Sequence, residues 1–254
     1  MSGIVLNKLF LHKNIIASDK DASRVRHIIN HLKVNAISDN KKAVTGSDIV
    51  VLCVKPQFMG QVIGEIQDYL HVKQLVISIA AGISLQYLES HFKGVPVIRV
   101  MPNNPCLIGA GISAIAKGKN ATASDLKLVD MIFSAIGKTI MMDEKYFDAV
   151  TAISGSGPAF VYEYIDAMIE AGSKEGLSKQ AVEELVLQTF LGSIKTVLES
   201  DKTPVELRNM VTSPGGTTRE GLNVLDEAKF RSIIYDTVHA AKVRSSELRK
   251  EFEK

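Results

Sequence analysis

Cysteine is scarce in this chain of 254 residues: Cys53 and Cys106 are the only two. That excludes a disulfide scaffold and fits a reducing compartment. Charge of one sign is also not in surplus. Lys plus Arg number 30 and Asp plus Glu 28, a formal net charge of +2, so there is neither the basic footprint of a nucleic-acid binder nor a solvating acidic tail. No apolar run approaches the roughly 18–20 residues of a membrane helix; the longest candidates are Ile49–Val54 and Leu75–Ile83. Residues 1–13 show no basic leader ahead of a long apolar stretch. A cytoplasmic protein with neither a nucleic-acid nor a membrane partner is expected. Of six histidines, His27 and His31 share a helix face, but there is no His-Glu-x-x-His and no Cys-x-x-Cys. No metal site is expected from two ligands alone. What is present is globular: 46% hydrophobic and 23% charged residues, enough core for one large or two modest domains.

Residues 1–142 alternate short β-rich runs with helical segments. Asn14–Ser18 reads as a strand and Asp21–Lys33 as a helix. Asp48–Val54 is a continuous β-branched run, expected to be a parallel strand buried on both faces. Gln74–Ala80, Val97–Met101 and Ser113–Ala116 read as further strands, with helices after Pro56, near Leu85–Phe92 and from Ala121. Such alternation implies βαβ units and a doubly wound sheet. In residues 143–254 strand signals vanish. Val182, Leu185, Val186, Thr189, Phe190, Ser193, Ile194 and Val197 recur at helical spacing, and the last helix is predicted over Ala228–Phe252. A helical half with so wide an apolar stripe is expected to bury it against a second copy.

A dinucleotide-binding sheet needs a first strand, a glycine-rich turn and then a helix, so that backbone N–H groups reach a pyrophosphate. That unit is missing. Met1–Leu6 reads as the interior of the helix that should follow the turn, and Asn14–Ser18 has the character of a second strand, the place where an adenosine ribose is read. Gly109-Ala110-Gly111-Ile112-Ser113-Ala114 matches G-x-G-x-x-A by letter, but it precedes a strand and not a helix, so its context fails. Gly155-Ser156-Gly157 suits a tightly packed helix junction. Cys53-Val54-Lys55-Pro56 and Ile79-Ala80-Ala81-Gly82 end strands at the edge where ligands of open α/β sheets sit; both also suit ordinary turns. Ser213-Pro214-Gly215-Gly216-Thr217-Thr218 precedes a helix. Its glycines and the helix start offer free N–H groups to an anion, and three hydroxyls stand beside them. The plainer alternative is a loop in which Thr217 caps the helix.

Asp48–Pro56, Ser78–Gly82, Val100–Gly111, Ile153–Phe160 and Val211–Thr218 occur in the order and spacing of the pyrroline-5-carboxylate reductase family, which the chain resembles from Met1 onward. The resemblance implies reduction of Δ1-pyrroline-5-carboxylate to proline by hydride transfer from NADPH, with NADH the alternative donor. It implies an α/β Rossmann-like domain over 1–142, here without its first strand, followed by an all-helical dimerisation and substrate-binding domain over 143–254. Homodimers that often assemble into a decamer are implied as well. Ser18 and Asn40 would hold the adenosine ribose and its phosphate. Cys53, Val54, Lys55 and Pro56, with Ile79, Ala80 and Ala81, would line the nicotinamide side. Glu144 would lie near nicotinamide and substrate. Ser213, Gly215, Gly216, Thr217 and Thr218 would grip the substrate, with Thr218 at the reacting ring.

The departure from the family lies at the start. About 15 residues, the usual length of a strand and turn, are expected to be absent, and a start assigned too far downstream is the favoured source. The chain as written is expected to bind NADPH poorly. The competing reading is a catalytically impaired, truncated paralogue that serves only as an oligomerisation partner.

Overall fold

Residues 9–253 are described by a computed structural model. They divide into two compact units. One holds the described residues up to Ser156 together with those from Ala240 onward, and the other is Gly157–His239.

The first unit opens with β1 (Ile16–Ser18), α1 (Ala22–His27), β2 (Asn35–Ile37) and α2 (Asn40–Thr45). Asp21 caps α1 by accepting the Ser23 amide at 2.7 Å. The helix read over Asp21–Lys33 widens into a π turn over Ile28–Leu32 and stops at Lys33, whose φ of 55° is left-handed. Then follow β3 (Ile49–Leu52), α3 (Met59–Ile66), β4 (Leu75–Ser78), α4 (Leu85–His91) and β5 (Val97–Met101). The unit continues with β6 (Gly111–Lys117), α5 (Ala123–Ser134), β7 (Gly137–Met141) and α6 (Phe147–Val150). β1 and β2 form one parallel pair, and β3-β4-β5-β6-β7 form a sheet in that order. β3, β4 and β5 run parallel, as the alternation of strand and helix requires. β6 runs antiparallel to β5. The segment between them, 102–110, is too short for the crossover of a dozen or more residues that a parallel neighbour needs.

Every residue of β4 and β5 is buried. Side chains alternate between the two faces of the sheet. Val76 and Val97 pack with Met59, Ile63, Leu88 and Phe92 on one face; Ile77 and Ile98 pack with Val129, Ile132 and Phe133 on the other. The result is a helix–sheet–helix sandwich of Rossmann-like type. β3 departs from the reading of a strand buried on both faces, because Val51 is 38% exposed. Among the described residues β3 pairs only with β4, and β1 only with β2. A cavity of about 200 Å³ is lined by Ile16 and Ser18 from β1 and by Ile49–Leu52 from β3.

The change of character read at Asp143 precedes the division between the units, which falls at Gly157. The reason is packing. Phe147 and Ala152 are almost wholly buried, and Phe147 belongs to a core cluster of the sheet. Gly155 fits the junction as read, since a β-carbon there would lie 2.8 Å from the Met101 methyl. The decoy at Gly109–Ala114 leads into β6, and a β-carbon on Gly111 would collide with Cys106.

The second unit contains α7 (Gly157–Lys174), α8 (Lys179–Glu199), α9 (Pro204–Met210), α10 (Thr217–Glu227) and the beginning of α11 (Phe230–Phe252). Tyr164 packs its ring against Phe190 at 5.4 Å and Phe230 at 6.2 Å between centroids. A β-carbon on Gly172 would clash with Val182. Of the predicted stripe on α8 only Val182 and Val186 are buried, and they are the only buried hydrophobic side chains described in this unit. Ile194 of that stripe is exposed and lines up at helical spacing with Leu187, Leu191 and Leu198, which are exposed as well. Among the described residues no helix is long and apolar enough to cross a membrane. Met1–Leu6, read as a helix interior, lies outside the described residues.

Candidate functional site

The cavity between β1 and β3 gathers several residues singled out from sequence. Ser18, Asn40, Cys53 and Val54 line it, together with Asp19. Ser18 ends β1, and its Oγ is buried without a hydrogen-bond partner among the described residues. Such an orphaned hydroxyl is a costly group to bury and suits a ligand that completes it. Asn40 opens α2 and donates from Nδ2 to Glu65 Oε2 at 2.9 Å. The Lys20 ammonium reaches Glu65 Oε1 at 2.6 Å. These two donors, Lys20 first, hold the Glu65 carboxyl below its usual range. Sequence reasoning missed Glu65, which sits late in α3 with no motif around it. Asp19 is occupied locally, accepting the Asp21 amide at 2.9 Å. The orphaned Ser18 hydroxyl and the Asn40 amide beside an open cavity fit the adenosine end of a nicotinamide nucleotide.

Cys53 and Lys55 are exposed beyond the end of β3. Pro56 starts a 3₁₀ turn, closed by Phe58 N–H donating to the Lys55 carbonyl at 2.9 Å. Neither Lys55 nor Pro56 lines the β1–β3 cavity.

Ile79–Ala81 follow β4. Gly82 then turns the chain with a φ of 73°, a conformation open to glycine at little cost. Phe252 and Arg249 crowd it: a β-carbon at Gly82 would meet the Phe252 ring at 3.3 Å. Ser84 caps α4, its Oγ accepting the Tyr87 amide at 3.0 Å. The next amides are taken by carboxylates. Ser84 N–H donates to Glu253 Oε1 at 2.7 Å and Leu85 N–H to Glu144 Oε1 at 2.7 Å. Glu144 Oε1 also accepts from Arg99 Nη1 at 2.8 Å. Glu144 thus sits at the end of the Ile79–Ser84 turn, and it lines a second cavity, of about 440 Å³, with Ile115, Lys117 and Met141. None of the other residues named from sequence lines that cavity.

The turn Ser213–Gly216 belongs to the second unit. Gly215 is left-handed, with φ 67°, and Gly216 N–H donates to the Ser213 carbonyl at 3.1 Å. A β-carbon on Gly216 would press on Ser213 Oγ, while at Gly215 it is the left-handed backbone that favours glycine. Gly216 is the N-cap of α10, and no side chain bonds the cap. The capping role weighed for Thr217 is therefore not what forms. Thr217 and Thr218 occupy the first helical turn, both exposed, where backbone N–H groups have no intrahelical acceptor. Two such amides, with hydroxyls beside them and the positive end of the helix dipole behind, suit the charge of a small carboxylate.

Two known families match separate parts of the chain. Residues 144–248 match the family described as pyrroline-5-carboxylate reductase dimerisation. Residues 1–82 match that described as NADP oxidoreductase coenzyme F420-dependent. A pyrroline-5-carboxylate reductase of Methanosarcina acetivorans is 40% identical over 98% of this chain and 93% of its own length. One from Arabidopsis thaliana is 39% identical over 88% of this chain and 81% of its own. Among solved structures, Plasmodium falciparum pyrroline carboxylate reductase with NADP bound superposes with a TM-score of 0.90 at 35% identity, covering 97% of this chain and 92% of that one.

Proposed function

The chain belongs to the pyrroline-5-carboxylate reductase family, and from that membership we propose that it reduces Δ1-pyrroline-5-carboxylate to L-proline, the last step of proline biosynthesis, with hydride from NAD(P)H. The observation that carries this reading is 40% identity to a named reductase over nearly the full chain, supported by a turn of two glycines with three hydroxyls at the start of α10.

The nicotinamide supplies the hydride. Ser18 and Asn40 hold the adenosine ribose and its phosphate, the Ser18 hydroxyl gaining the partner it lacks. Cys53–Pro56 and Ile79–Ala81 line the nicotinamide side, and Glu144 stands beside them. Ser213 and Gly215–Thr218 bind the substrate, and the amides of Thr217 and Thr218 balance its carboxylate without a buried arginine. The Thr218 hydroxyl accepts from the protonated ring nitrogen and orients the carbon that receives hydride. Threonine is too weak an acid at neutral pH to act as the proton donor. The ring nitrogen is instead protonated beforehand, and hydride addition converts the iminium to a secondary amine. Most of the acceleration is then positional, for which about 7–11 kcal/mol is available in well-oriented systems.

NADPH is the proposed donor, with NADH accepted second. The working form is a homodimer joined through the helical unit, with dimers assembling into a decamer; the exposed Leu187–Leu198 stripe supports the association. The test is oxidation of NADPH and of NADH by the purified chain with Δ1-pyrroline-5-carboxylate, with proline measured as product. Absence of both would overturn the reading. The alternative, an oligomerisation partner without turnover, is favoured by the strand edges of β1 and β3 that pair with no other described strand. Assembly without NAD(P)H oxidation in the same assay would select it.

A further inference from the structure

We propose that Glu253 and Glu144, backed by Arg99, form a positioning array that fixes the Ile79–Ser84 turn and thereby sets how the nicotinamide ring is seated. The proposal rests on the assignment of Ile79–Ala81 to the nicotinamide made above.

The first N–H groups of a helix have no intrahelical acceptor, and in the seven-residue α4 Ser84 Oγ takes one of them, the Tyr87 amide. Two carboxylates are added to that cap, on consecutive amides. Glu144 comes from 59 residues away and Glu253 from 169 residues away. A strand-to-helix turn is ordinarily among the more mobile parts of a fold. Here both amides that close it are tied to anions, and bonds to charged acceptors are roughly twice as strong as neutral ones.

The tie to Glu144 is anchored in the core. Arg99 is 2% exposed in the middle of β5, with its guanidinium 4.8 Å from the Phe147 ring centroid. A cation held so deep is a fixed point, and it holds the carboxylate that holds Leu85. The tie to Glu253 is made in the last described turn. Phe252 packs on Gly82, Arg249 donates to Asp148 Oδ2 at 3.1 Å, and Ser245 Oγ donates to Asp148 Oδ1 at 2.9 Å. The turn is held at its left-handed glycine and at both amides that lead into α4. Hydride transfer is steeply sensitive to such placement, since an error of about 1 Å in a reacting group can cost about a hundredfold in rate.

Glu253 is the place to test this, because its removal leaves the core intact. Glu253→Ala deletes the acceptor for the Ser84 amide, and Glu253→Gln keeps it as a neutral oxygen. For Glu253→Ala the KM for NADPH should rise, or kcat fall, by about tenfold. Its KM for pyrroline-5-carboxylate should stay within about twofold and its thermal midpoint should hold, while Glu253→Gln should return to within about twofold of the parent. Parental kinetics in Glu253→Ala, or equal impairment of the two variants, would overturn the array. If the parent turns over no substrate, the functional reading fails separately, and the array is decided by NADPH fluorescence titration of the same three proteins. The expected result there is weaker binding in Glu253→Ala alone; a parent that binds no NADPH would overturn both.

Discussion

Arg99 and Glu144 meet at 2.8 Å, the arginine almost wholly buried and the glutamate side chain 26% exposed. Arg99 Nε and Nη2 find no partner among the described residues, so this one contact carries most of the compensation for burying the cation. Removing one member of a buried ion pair typically costs about 3–5 kcal/mol. Arg99→Met should fall at the lower end, about 3 kcal/mol, because Glu144 keeps the Leu85 amide and some water. Denaturant unfolding with an unchanged slope measures it; a loss under about 1 kcal/mol would show that the pair contributes little.

Thr218→Ala tests the substrate role proposed for the Ser213–Thr218 turn. Thr218 is exposed in the first turn of α10, so folding stability should change by no more than about 0.5 kcal/mol. Turnover should drop by about tenfold to a hundredfold as the ring nitrogen loses its orienting partner. An unchanged kcat would remove this hydroxyl from the mechanism.

The outer stripe of α8 tests the assembly. Leu191 is 49% exposed in the single chain, between Leu187 and Ile194. Leu191→Glu should leave the chain helical by circular dichroism and shift its mass in light scattering from oligomer to monomer. A parental mass for this variant would move the interface elsewhere.

Acid should loosen the Lys20–Glu65–Asn40 cluster. Glu65 is held below its ordinary value of 4.5 by Lys20 and Asn40. A carboxyl whose folded pKa is depressed adds stability that is present above its unfolded pKa and lost as pH falls through the folded one. Glu65→Gln should therefore be less stable than the parent at about pH 7, by less than about 1 kcal/mol for so exposed a pair. The difference should shrink as pH falls from about 7 towards 3 and the Glu65 carboxyl takes up its proton. Denaturation midpoints at the two pH values give the comparison.

The sequence marked β4 and β5 clearly because both are unbroken apolar runs between turn residues, which is how a strand covered on both faces reads. β2 went unread because Asn35–Ile37 is three residues long and begins with asparagine. β7 went unread because Gly137–Met141 carries glycine and lysine at its start. The direction of β6 is written in a connection length and not in its side chains. At the site, Ser213–Thr218 was legible as a glycine turn rich in hydroxyls, but the choice of Gly216 over Thr217 as cap depends on backbone geometry. Glu253 was beyond any local pattern, being joined to Ser84 across 169 residues. Glu65 was hidden for the same reason, since Lys20 and Asn40 lie 45 and 25 residues from it.

A helical unit whose described hydrophobic interior comes down to Val182 and Val186 draws on neighbouring copies for its solidity. Mass action then makes concentration a thermodynamic variable of folding: the melting temperature should climb as the protein is concentrated, and simple dilution should act as a denaturant.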